Sequence, residues 1–144
     1  MSRLNFSDSN AGELLRYRKS IDADEILVFN DIKKKHSSHQ ITSDVSLLET
    51  AHAAKFFQAD AIILTGKTTG AATDLNELKT ICDGKINLPV IIGSGVTLEN
   101  FQDYIGLADA VIIGSHFKVD GHWKNELCEK RICDFMKHAN ELLK

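Results

Sequence analysis

One octet of this chain is echoed later by a similar one, and the pair limits the fold more than any other feature. Ala59-Asp60-Ala61-Ile62-Ile63-Leu64-Thr65-Gly66 returns as Ala108-Asp109-Ala110-Val111-Ile112-Ile113-Gly114-Ser115. Each copy is a short apolar, largely β-branched run that lacks polar alternation and stops at a glycine or a polar residue beside one. That is the pattern of a strand buried on both faces of a parallel sheet. A third such run, Pro89 to Ile92, ends in Gly93-Ser94-Gly95, and a fourth covers Glu25 to Phe29. Helical spacing fills the intervals. Asn10 with Glu13 opens a first helix toward Lys19. Thr42 or Ser43 caps a second, whose stripe is Leu47, Leu48, Ala51 and Ala54, with Phe56 and Phe57 read as core. Asp74 followed by Glu77 resembles a capping box for a helix reaching Cys82, and Gly84 closes it. Thr97 caps a short helix carrying Phe101, Tyr104 and Ile105. Ile132, Phe135, Met136, Ala139, Leu142 and Leu143 give the strongest amphipathic helix. Strand and helix therefore alternate, which predicts an α/β fold with right-handed parallel crossovers.

Composition narrows the class of protein. With 144 residues, one proline and no Ser/Gly/Pro-rich linker, residues 1–144 read as a single domain able to bury a core. A formal charge of -3 gives no basic field, so nucleic acid is not the expected partner. No apolar run has the length of a membrane span, and the start lacks a signal segment, so a cytoplasmic location is expected, with a mitochondrial or plastid matrix left open. Cys82, Cys128 and Cys133 include no Cys-x-x-Cys pair and suggest neither a disulfide framework nor a thiolate zinc site. His36 and His39 have a His-x-x-His spacing but no further local ligand, so no metal is expected. No cofactor is implied.

The chemistry is read at strand ends, where α/β proteins place their sites. Gly93, Ser94, Gly95 and Val96, with Gly114 and Ser115, offer bare backbone amides and two hydroxyls to a phosphate. The alternative is that these glycines only make tight turns. Thr65-Gly66 and Thr69-Gly70 either touch the organic part of a ligand or merely shape their loop. Gly66-Lys67-Thr68 is not a P-loop, because Ala61 stands where the first glycine belongs. If the first strand persists through Lys35, a period of two puts Asp31, Lys33 and Lys35 on one face. They would then be candidate acid-base or electrophilic groups, and otherwise a solvated strand end.

Leu14 to Arg18, Asp31 to His36, Ala59-Asp60-Ala61 through Thr65-Gly66 with Thr69-Gly70, Gly93 to Thr97 with Asn100, and Ala108-Asp109 through Gly114-Ser115 with Lys118 and Gly121 resemble the BtpA/SgcQ family, in order and spacing, over about residues 12–132. Members look like (β/α)₈ barrels of the ribulose-phosphate-binding type, without a settled reaction. A complete barrel takes roughly 250 residues, so the chain resembles the C-terminal half, a parallel half-barrel of four βα units. With the resemblance, Asp31, Lys33, Lys35 and His36 are read as catalytic candidates, and a solvated strand end remains the alternative. The resemblance also places Asn100 beside the ligand, with Thr65, Gly66, Thr69 and Gly70. Lys34 and Cys128 depart from the family pattern, which prefers an apolar residue and a helix-capping Asp there. Two functions are expected to compete: binding of a phosphorylated sugar or nucleotide-like small molecule, with or without catalysis, and a non-catalytic role in protein assembly. Half a barrel should carry four strands in sequential order, helices on one face, and an uncovered face with Ile63, Ile92 and Ile112. Its open edges and uncovered face should leave it either self-associating or marginally stable.

Overall fold

The computed structural model describes residues 11–33, 44–66, 68 and 70–144. Four helices, α1 (Ala11–Ser20), α2 (Leu47–Phe56), α3 (Leu75–Asp83) and α4 (Glu129–Leu142), accompany four strands, β1 (Phe29–Asp31), β2 (Ala61–Leu64), β3 (Val90–Ile92) and β4 (Ala110–Val111). All strand pairs are parallel and the order is β1-β2-β3-β4. This is the sequential α/β sheet that the alternation predicts. Asn10, Thr42 and Ser43 lie outside the described residues. The cap of α2 is Ser46, which shares a full capping box with Glu49.

The register separates the two faces. Asn30, Ile62 and Val90 fall in one row and Leu64, Ile92 and Val111 in the next, and the strand residues of the core among them meet Ala51, Ala54, Leu78, Ile81, Phe135 and Ala139 of the helices. Ile92 thus faces the helices, contrary to the expectation, because it pairs with Leu64, one residue out of phase with Ile63. The other face carries Phe29, Asp31, Ala61, Ile63, Ile91 and Ala110. Ile91 and Ala61 are buried there without joining the helical core, while Phe29 and Ile112 are 44% and 48% exposed.

The first expected strand is shorter than its apolar run. β1 begins only at Phe29 and ends at Asp31, with a turn at Ile32 and Lys33, so Glu25 to Leu27 are not strand and the period of two does not extend to Lys33. β2 begins at Ala61 and offers nothing to pair with residues before Val28. Phe56 and Phe57 are also not core: they are 80% and 63% exposed at the end of α2, edge to face with each other at 5.2 Å. Gly84 caps α3 with right-handed dihedrals, and an added Cβ would lie 2.2 Å from Leu48 Cδ1, so close packing explains the glycine. Asp74 caps α3 through Asn76 N, whereas Glu77 pairs with Lys33 rather than completing a box.

The repeated Ala-Asp-Ala has one structural job in both copies. Asp60 N donates to Val28 O at 2.8 Å, and Asp60 Oδ2 accepts from Val28 N at 2.7 Å. Asp109 N donates to Val90 O at 2.9 Å, and Asp109 Oδ2 accepts from Val90 N at 2.8 Å. Each aspartate clasps both polar groups of one residue on the preceding strand, at the end where the ladder begins. Asp60 also takes Arg18 Nη1 at 3.0 Å. Its carboxyl is held below the ordinary value, first by the Val28 amide and further by the Arg18 guanidinium, against partial burial. Asp60→Ala and Asp109→Ala should each lose about 1–3 kcal/mol in urea unfolding at neutral pH, since an amide at the sheet end is left without its acceptor. A depressed carboxylate stabilises above its unfolded pKa, and that stability is lost as pH falls through the folded one. Wild type and Asp60→Ala should therefore converge in acid, and a constant gap would contradict the clasp.

Candidate anion site at the strand ends

Beyond β3 and β4 the chain passes over the C-terminal edge of the sheet and borders an open cavity of about 460 Å³. All six residues read as a phosphate cradle, Gly93, Ser94, Gly95, Val96, Gly114 and Ser115, line it. Among the described residues, none accepts a hydrogen bond from the amides of Ser94, Gly95, Val96, Gly114, Ser115 or His116. Unpaired backbone donors on a concave wall can take an anion. The loop is held from behind. Asn100 Oδ1 accepts from Thr97 N and its Nδ2 donates to Gly95 O, both at 2.8 Å, so Asn100 braces the cradle. Ser94 Oγ accepts from Gly66 N at 3.2 Å and reaches Ala71 O at 3.4 Å, tying the ends of β2 and β3.

Gly95 is fixed by two constraints. Its φ is +71°, where side chains are disfavoured, and an added Cβ would sit 2.2 Å from Ala71 O. A bulky residue at Gly95 would strike main chain and would not spare the fold. At Gly114 an added Cβ meets nothing within 4 Å.

The structure adds groups from a later part of the chain. Arg131, in the first turn of α4, lines the same cavity, with Nε donating to His116 O at 2.5 Å and Nη2 lying 3.2 Å from His116 Nδ1. Among the described residues it forms no ion pair with a carboxylate. Burial, then the Arg131 guanidinium, pushes the His116 imidazole below its ordinary pKa, while Glu99 pulls the other way. A guanidinium cannot accept a hydrogen bond, so Nδ1 faces it as the acceptor of a neutral ring. Gly121, His122 and Trp123 complete this side. In the sequence Arg131 looks like one more polar position on an amphipathic helix, and only the folded chain brings it to the glycines. Cys128 is the N-cap of α4 but makes no side-chain cap, in keeping with its departure from the family's Asp.

The groups read at β1 are distributed differently. Asp31 lies on the open face beside Ile63, and its Oδ1 accepts from Lys33 N at 3.0 Å. Lys33 Nζ pairs with Glu77 in the first turn of α3, and Lys33 O accepts from Thr65 Oγ1 at 2.9 Å. The end of the strand at Asp31 thus turns Lys33 away from the face the two were expected to share. Gly70 lines the cavity, Gly66 sits behind it against Ala71, and Thr65 is buried. Lys35, His36, His39 and Thr69 lie outside the described residues. Among the described residues no three His, Cys, Asp or Glu side chains gather as metal ligands, and no helix is long and apolar enough to cross a membrane.

A profile described as the BtpA family matches residues 2–141. A Caenorhabditis elegans protein described as uncharacterized and mitochondrial is 49% identical over 94% of this chain and 48% of its own length. The photosystem I biogenesis protein BtpA of Synechocystis is 31% identical over 95% of this chain and 47% of its own. The Escherichia coli putative sgc region protein SgcQ is 27% identical over 94% and 50%. The chain spans about half the length of the curated relatives it matches. Among solved structures, a thiamine phosphate pyrophosphorylase from Pyrococcus furiosus superposes with a TM-score of 0.53 at 15% identity, covering 96% of this chain and 81% of that one. That likeness shows the parallel α/β fold alone.

Proposed function

Taking as premise that the chain belongs to the BtpA family, we propose that it forms the C-terminal four βα units of a barrel and binds a phosphate ester at the ends of β3 and β4. One observation carries this reading: six residues singled out as an anion cradle line a single cavity, five of them, all but Gly93, with amides unpaired among the described residues, and a guanidinium that forms no ion pair with a described carboxylate lines it too. Backbone donors fix the position of the anion, and Arg131 supplies the charge. Asp31 stands on the open face of the sheet, outside the lining of this cavity, as the acid for any chemistry that reaches that face. The competing reading, a non-catalytic assembly role, draws on the exposed Phe29 and Ile112 of the open face.

Two measurements separate them. Mass spectrometry of small molecules released from the purified protein should find a phosphorylated compound, and calorimetry should detect inorganic phosphate in the millimolar range or tighter. An extract without phosphorylated compounds, together with no heat on phosphate addition, would remove the proposal and leave the assembly reading.

A further inference from the structure

Resting on the phosphate reading of this cavity, we propose that the remainder of its ligand is a planar heteroaromatic ring packed on Trp123. The ligand class is then a phosphorylated heterocycle such as a nucleotide, and not a simple phosphosugar. The cavity, about 460 Å³, is of the size that holds a whole small molecule, so the anion cradle accounts for only part of it. Trp123 lines the cavity and is 56% exposed. Its indole contacts other rings and charges instead of the core. The His122 imidazole lies nearly parallel, at 26° and 6.2 Å between centroids, and Lys124 Nζ stands 5.1 Å from the ring centroid. An exposed lysine held only over an aromatic face is weakly bound there, so an incoming ring can displace it, and the freed ammonium stays close to an anionic ligand.

The polar lining decides between ring and sugar. Sugar hydroxyls donate as well as accept, and a site that selects them meets them with carboxylates and side-chain amides. Among the described lining residues there is no Asp, Glu, Asn or Gln. What lines the cavity beyond the backbone is Trp123, two imidazoles, the Arg131 guanidinium, short hydroxyls and apolar side chains. Arginine and tryptophan donate only. Such a wall suits a π-face and ring nitrogens far better than a row of hydroxyls.

Trp123 is the only tryptophan of the chain, so intrinsic emission reports this spot alone. Inorganic phosphate, ribose 5-phosphate, adenosine 5′-monophosphate and cytidine 5′-monophosphate are titrated, by emission and by calorimetry. At least one nucleotide should quench the emission and bind about tenfold more tightly than ribose 5-phosphate, as stacking on one aromatic side chain gives. Trp123→Ala should bring nucleotide and ribose 5-phosphate to within twofold while leaving inorganic phosphate unchanged, and Trp123→Phe should keep most of the preference. If phosphate binds but neither nucleotide exceeds ribose 5-phosphate, this inference is overturned and the cradle stands. If no phosphorylated probe binds at all, the cradle falls and this inference with it.

Discussion

Replacing Gly95 by valine should cost the chain about 3–5 kcal/mol of stability, whereas the same replacement at Gly114 should leave the fold in place and abolish phosphate binding. At Gly95 two penalties add. A side chain at φ +71° is disfavoured by about 1–2 kcal/mol, and the new Cβ would overlap Ala71 O at 2.2 Å and Ala72 N at 2.4 Å. Both are main-chain atoms that cannot swing aside, and Gly66 presses on the same carbonyl. At Gly114 the added atoms enter open space on the cavity wall. Urea unfolding and phosphate calorimetry on the two variants give a crossed result: stability lost at one site, affinity at the other. If Gly114→Val binds phosphate as wild type does, the anion sits elsewhere.

Arg131→Ala should weaken phosphate binding ten- to hundredfold, the range of a charge-assisted hydrogen bond of about 1.5–3 kcal/mol. Arg131→Lys should recover part of it, since the charge returns without the planar fork that spans both His116 atoms. A structural role would show in a second readout. His116 has its pKa lowered by burial first and by Arg131 second. The stability contributed by a neutral histidine is fully present above its unfolded pKa and is lost as pH falls through the lowered folded value. Removing Arg131 moves that folded value back toward the ordinary one, so the variant should lose less stability between neutral and mildly acidic pH. An imidazole titration by NMR that is identical in wild type and Arg131→Ala would show that the guanidinium does not act on the ring.

How far the sequence speaks for this molecule follows from the range of each signal. The apolar runs at 61–64 and 90–92 are legible because a strand buried on both faces must be apolar throughout. For the same reason the face of each side chain is not legible there: with no polar alternation, nothing in the sequence separates Ile91 from Ile92, and only the pairing with Leu64 does so. Edge strands end where their partner ends, which is why Glu25 to Leu27 look like strand and are not. Phe56 and Phe57 look like core by residue type, but they stand at the terminus of α2, beyond the stripe that Ala51 and Ala54 bury. The glycine half of the candidate site was readable from local repetition. The Arg131 and Trp123 half was not, because neither follows a period and the fold alone brings them to the cavity.

The aspartate clasp has a kinetic consequence. Val28 and Asp60 lie 32 residues apart, and Val90 and Asp109 lie 19 apart, so each clasp joins neighbouring units and none spans the sheet. A strand whose first amide is taken by the next unit along can be docked before the rest of the chain has arrived. Loops of this length close quickly and at small entropic cost. The sheet can therefore grow one unit at a time in chain order, each aspartate setting the register of the strand that carries it before the ladder zips. Removing Asp60 should then slow refolding, whereas removing a contact made after docking, such as the Lys33–Glu77 pair across the top of β1, should chiefly speed unfolding.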